Sequence, residues 1–159
     1  MINEFIQQFT EKKIENITKI NNRHYLAEEE LLSLKDKIRL NPESIGLFLG
    51  EETRNGFRPS LALLEELAKI SDRKVFLNKK AELLFICGRD IFGKSTMQTH
   101  LKKGLVLVQN ERDENLGYGR FADQGKLIKN IMDKGDYLRR EMRKPDKTTR
   151  NNRREYKRQ

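Results

Sequence analysis

Gly88-Arg89-Asp90-Ile91-Phe92-Gly93-Lys94-Ser95 matches, letter for letter, the G-x-x-x-x-G-K-[ST] pattern. In that pattern backbone amides wrap phosphates, the lysine neutralises the outer oxygens and the serine holds magnesium. The chemistry requires the loop to enter a helix at the mouth of a parallel sheet. Here only Thr96 to Lys103 stand between the pattern and Gly104, and the next apolar run, Leu105 to Val108, ends in Gln109-Asn110 with no aspartate for a metal. The chain that remains is too short for further parallel strands, each of which needs a crossover of about a dozen residues. A nucleotide hydrolase is therefore the most remote reading. The same residues can instead bring backbone amides, Gly88, Arg89 and Lys94 to a sugar-phosphate chain without hydrolysis. The plainer alternative is a connecting loop whose glycines serve the turn.

Other reactive side chains do not assemble. His24, His100 and Cys87 show no C-x-x-C or H-x-x-x-H spacing, so no metal or other cofactor is expected. The histidines read as surface or boundary residues. Cys87, flanked by Leu83-Leu84-Phe85-Ile86, reads as a buried small hydrophobe. Glu28-Glu29-Glu30 and Glu65-Glu66 fit helix starts or polar faces, and no serine lies in a nucleophile-elbow context. The expectation is a protein without catalytic activity of its own. Tyr118, Tyr137 and Phe92 lie close in sequence to cations, which suits stacking on unpaired bases; for Phe92 and Tyr137 a place in the core fits as well.

Charge is uneven along the 159 residues, whose formal net charge is +9. Residues 137–159 carry ten basic side chains, among them Arg139, Arg140, Arg143 and Lys144, against Glu141, Asp146 and Glu155. That stretch therefore holds +7 and the preceding residues only +2. Such a run can serve RNA, an acidic protein surface, anionic lipid or solubility. It lacks the large apolar residues of an interfacial membrane helix. No apolar run approaches the roughly 18 residues of a membrane span, and the N-terminus lacks a signal-peptide layout. These features predict a cytoplasmic protein with no membrane partner.

The positioning elements follow from apolar periodicity. Phe5, Ile6 and Phe9 predict a short helix, Asn21-Asn22 a turn, and Tyr25-Leu26 a strand. Glu28 to Ile38 predict a helix ended by Asn41-Pro42. Ile45 to Gly50 read as a buried strand, Asn55-Gly56 as a tight turn, and Pro59 as the first position of a helix burying Leu61, Leu64, Leu67 and Ala68. After Asp72 come a strand at Val75 to Leu77, Asn78 as a helix cap, a short helix over Ala81 to Ile86, and strands at Leu105 to Gln109, around Leu116 to Phe121, and at Leu127 to Met132. Several short strands with one helix among them predict a small barrel rather than a doubly wound sheet.

Taken in order, the stretch from Lys74 to about Glu141 resembles the PUA fold: strand Val75-Phe76-Leu77, the helix to Ile86, the Gly88 loop, Leu105 to Val108, then Leu116-Gly117-Tyr118-Gly119-Arg120. Gly46 to Glu51 followed by Gly56 to Leu63 is similar to the segment before the PUA-like domain of Sun/Fmu-type rRNA 5-methylcytosine methyltransferases. Lys129-Asn130 with Gly135 to Glu141 resembles the end of the Nip family of large-subunit assembly factors. The methyltransferases' second cysteine and Rossmann domain have no counterpart here. The resemblance implies an α+β chain comprising a small α+β lobe (1–72), a PUA-like mixed β pseudo-barrel (73–141) and a basic tail (142–159), disordered until it meets its partner. The disorder is read from the tail's composition and begins beyond Pro145; the resemblance further implies an RNA-binding accessory factor in rRNA modification or ribosome biogenesis. Its partners would be rRNA or pre-ribosomal particles, with a separate RNA methyltransferase or assembly factor. Gly88, Arg89, Lys94, Arg120, Lys129, Arg139, Arg140, Arg143 and Lys144 would face the RNA. The alternative is a protein-interaction adaptor whose tail docks on an acidic partner.

Overall fold

The computed structural model describes residues 1–37, 42–93, 96–136 and 139. A short helix α1 (Ile2–Ile6) leads into a hairpin of β1 (Ile17–Ile20) and β2 (Arg23–Leu26), turned by Asn21 in the left-handed region at φ 56°. Helix α2 (Glu29–Lys37) follows, and then β3 (Leu47–Thr53) and β4 (Gly56–Pro59) form a second hairpin through Asn55-Gly56. These four strands make an antiparallel sheet in chain order. The helix expected from Pro59 starts later, because Pro59 completes β4 and Ser60 is the cap. The Ser60 Oγ accepts the Leu63 N–H at 3.1 Å, opening α3 (Leu61–Ile70), and this satisfies one of the helix's unpaired first-turn donors.

The second half begins with β5 (Lys74–Leu77). Asn78 caps α4 (Lys79–Ile86), its side chain accepting the Ala81 N–H at 2.9 Å. Strands β6 (Ile91–Phe92), β7 (Thr96–Gln98), β8 (Leu105–Gln109), β9 (Asn115–Ala122) and β10 (Leu127–Asp133) complete a curled six-stranded sheet of order β6-β10-β9-β8-β5-β7. Only the β5–β8 pair is parallel, because α4 and the strands after it provide the crossover that a parallel pair needs. Mixed α+β architecture with a curled sheet is what the strand pattern predicted.

The two halves share a core. Phe5 and Ile6 of α1, Phe9, Leu49 of β3 and Leu63, Leu64 and Leu67 of α3 pack on Leu105, Leu107 and Tyr118 of the six-stranded sheet. Phe5 meets Tyr118 edge-on at 5.6 Å, a favoured aromatic geometry. The opposite face of that sheet closes over a second cluster, in which Val75, Leu77, Val106, Val108, Phe121 and Ile128 surround Ala81 and Phe85 of α4.

Several sequence expectations are corrected by these faces. Within Ile45 to Gly50, the adjacent Leu47 and Phe48, which leave opposite faces of β3, are 43% and 38% exposed and line two different open grooves, whereas Leu49 and Gly50 are buried. Leu63, rather than Leu61 or Ala68, completes the buried face of α3. Leu83, Leu84 and Cys87 are exposed, since α4 turns the i, i+4 pair Ala81 and Phe85, with Ile86 at its edge, toward the sheet. His24 is buried, with its Nε2 at 2.9 Å from Glu52 Oε1. Ile38 and Asn41, at the expected end of α2, lie outside the described residues.

Candidate nucleic-acid interface

The chain leaves α4 through a Schellman turn. Gly88 N–H donates to the Phe85 carbonyl at 2.8 Å and Arg89 N–H to the Leu84 carbonyl at 3.0 Å. Gly88 sits at φ 82°, the left-handed backbone that glycine adopts without a Cβ penalty. Its first task is therefore to end the helix. The space a side chain would need is taken by the Arg139 guanidinium, whose Nη2 would lie 3.1 Å from a Cβ there.

Arg139 is tied into this turn. It donates to both oxygens of Asp133, at 2.9 and 2.7 Å, and to the Ile86 carbonyl at the end of α4. Asp133 is only 2% exposed and also accepts the Gly135 N–H at 2.8 Å. These hydrogen bonds to Asp133 hold the guanidinium pKa above its ordinary value despite partial burial. Next to them, Asn130 Nδ2 donates to the Phe85 carbonyl at 2.7 Å. Two carbonyls at the end of α4 thus receive side-chain donors, which accounts for a cation at a helix C-terminus. Arg139 is not the free phosphate-facing cation that the charge run suggested: an internal carboxylate offsets most of its charge. Asp133 was not singled out from the sequence, and Asn130 and Gly135 entered only through the resemblance to the Nip family, without this structural role; the sequence signal was the short Asp133-x-Gly135 spacing ahead of Arg139.

Arg120 and Lys129 present the opposite arrangement. They are direct cross-strand partners on β9 and β10, so their side chains leave the same face of the sheet. Both are exposed, and neither forms an ion pair among the described residues. One step along the same face, Ala122 pairs with Leu127 and Leu127 with Phe92. Phe92 is 69% exposed. Two unneutralised cations and an open aromatic ring therefore share one surface. Like charges placed directly opposite on a sheet oppose folding, a cost that an anion lying across them would relieve. Tyr118, the other stacking candidate, is instead 8% exposed, and burial raises its phenol pKa; it belongs to the core. Arg89 is exposed beside the Gly88 turn. Lys94, Tyr137, Arg140, Arg143, Lys144 and the rest of the tail lie outside the described residues.

The nucleotide-loop pattern is not built as a nucleotide loop. Its centre, Ile91–Phe92, is a strand paired with β10, and the chain after the pattern continues as strand β7 instead of a helix. Among the described residues no cluster of His, Cys, Asp and Glu is placed to hold a metal ion, and no helix is long and apolar enough to cross a membrane.

A curled mixed sheet crossed by one helix, with a glycine turn at the end of that helix, defines a PUA-type fold, and PUA domains are in general RNA-binding modules. Residues 73–142 match the family model of the UPF0113 PUA domain. The chain is similar in fold, over most of its length, to a conserved PUA domain protein from Thermoplasma acidophilum. The TM-score is 0.53 at 16% identity, covering 88% of this chain and 91% of that one. In sequence it is similar to a UPF0113 protein of Archaeoglobus fulgidus, 34% identical over 112 residues, and to one of Aeropyrum pernix, 36% identical over 100 residues. These matches cover 63% and 61% of this chain, and 64% and 58% of the two relatives, so the chain spans less than two thirds of their length.

Proposed function

We propose that the chain is an RNA-binding accessory factor acting in rRNA modification or ribosome biogenesis in the cytoplasm, without chemistry of its own. The observation that carries RNA binding is the exposed face on which Arg120 and Lys129 stand opposite each other, without an ion-pair partner among the described residues, with Phe92 beside them. Guanidinium and ammonium groups neutralise backbone phosphates, and an exposed ring stacks on an unpaired base. In this reading residues 73–141 place the RNA, residues 1–72 form an accessory lobe, and the tail, with Arg140, Arg143 and Lys144, adds phosphate contacts. The ribosomal setting rests on the resemblance of the two halves to Sun/Fmu-type and Nip-family proteins. A separately encoded methyltransferase or assembly factor would then supply catalysis.

Fluorescence anisotropy with a single-stranded RNA tests the face. R120Q/K129Q should weaken binding roughly tenfold near 0.1 M salt and flatten the salt slope by about 1.4, the loss of two phosphates at about 0.7 each. F92A should weaken the same strand by about 1 to 3 kcal/mol, the usual loss per stacked base. Unchanged affinity in both variants would remove this face from the site.

A further inference from the structure

The cationic face does not end at Lys129. Tyr118 and Arg120 are two residues apart on β9 and leave the same side of the sheet. Their partners on β10 are Met132 and Lys129, which are three apart because the register shifts between Asn130 and Met132. Such a bulge adds one residue and keeps both side chains on one face. Met132 lies about 10 Å from Lys129 along the strand, and it forms part of the wall of an open groove of about 630 Å³ in the N-terminal lobe.

The groove's other walls carry the same chemistry as the sheet face. Arg23, Glu51 and Arg58 stand directly opposite one another across β2, β3 and β4, so one carboxylate is flanked by two guanidinium groups. Arg58 Nη1 lies 3.5 Å from Glu51 Oε1, with the arginine side chain about half exposed, and Arg23 is exposed. Phe48 also lines the groove, partly exposed and leaning on Tyr25 at 5.6 Å. Paired planar guanidiniums suit phosphate oxygens, and Phe48 offers a ring to a base.

We propose that this groove is a second contact for the same nucleic acid. A single strand held at Phe92, Lys129 and Arg120 continues past Met132 into the N-terminal lobe, where Arg23 and Arg58 take its phosphates and Phe48 takes a base. The inference rests on the RNA-binding reading of the six-stranded sheet, but it assigns a separate site on a different lobe. Glu51 limits the attraction by neutralising one of the two cations, so the groove contributes mainly to long strands that are already anchored.

The test compares the full chain binding a short and a long single-stranded oligonucleotide of the same mixed sequence, by anisotropy across a salt series. Lengthening the strand should tighten wild-type binding, and R23Q/R58Q should abolish that gain while leaving the short strand unchanged. Its slope against log salt for the long strand should flatten by about 0.7, because Glu51 already offsets one of the two charges removed. R23K/R58K, which keeps both charges, should retain most of the gain, and E51Q should tighten the long strand. If R23Q/R58Q, folded by circular dichroism, binds the long strand with wild-type affinity and slope, the groove is not a contact. If R23Q/R58Q weakens long strands while R120Q/K129Q has no effect, the groove stands and the sheet face falls. If neither pair changes binding, both proposals are overturned.

Discussion

Two sets of basic residues at the end of the same sheet meet opposite fates. Arg139 folds back onto a buried aspartate and the end of α4, so its charge is spent on holding β10 to the helix. Arg120 and Lys129, on the strands leading up to it, are exposed cross-strand partners with no ion pair among the described residues. Only Arg139 belongs to the basic run of residues 137–159; Arg120 and Lys129 lie in the preceding part of the chain, whose net charge is only +2. The difference is burial of the neighbouring acid. Asp133 is removed from water and must be compensated there, whereas nothing on the outer face requires Arg120 or Lys129 to pair. A cation therefore marks a binding site only where the fold leaves it uncompensated, whatever the charge of the sequence around it.

The largest break in this comparison should come from R139A. It leaves the Asp133 carboxylate buried with only the Gly135 N–H as a partner among the described residues. Removing one member of a buried pair costs about 3 kcal/mol, so the denaturant midpoint should fall sharply while the folded fraction keeps its RNA affinity. Intact stability with lost RNA binding would reverse the two roles. G88A should cost about 1 to 2 kcal/mol, because alanine resists a positive φ and its methyl would press on the Arg139 guanidinium; thermal melting reads it. RNA affinity should again stay constant, which separates the turn from the sheet face.

The smallest expected effect sharpens the contrast from the acidic side. Lys19, bonded at 2.5 Å, and then His24 hold the Glu52 carboxyl below its ordinary value of 4.5. A carboxyl whose folded pKa lies below its unfolded one contributes stability above the unfolded value, and that contribution is lost as pH falls through the folded value. Wild-type melting temperature should therefore drop below about pH 4.5, and E52Q should show a shallower acid limb. An unchanged acid limb in E52Q would show that the Lys19–Glu52–His24 cluster contributes nothing to stability.

Local signals were legible where a backbone geometry demands a particular residue. Asn21-Asn22 and Asn55-Gly56 mark the two hairpins, Asn78 caps α4, and the apolar runs at Leu105 to Val108 and Leu127 to Met132 are strands. The errors concern direction. Phe92 and Tyr118 both sit beside cations in sequence, yet one is open to solvent and the other buried under α1. Cys87 follows an apolar run and is exposed; His24 follows polar residues and is buried. In each case the outcome depends on what packs across the sheet, and those partners lie tens of residues away.

The sequence by itself determined the order of short strands, the turns and caps between them, the poor context of the nucleotide-loop pattern and the concentration of positive charge toward the end of the chain. All of these follow from local backbone preference and composition. Only the tertiary structure decided that Arg139 is a structural clamp, that Arg120 and Lys129 stand exposed opposite each other, and that a register shift in β10 pairs Met132 with Tyr118 next to them. The physical reason is that a side chain's face, its burial and the acid beside it are set by strand register between distant segments.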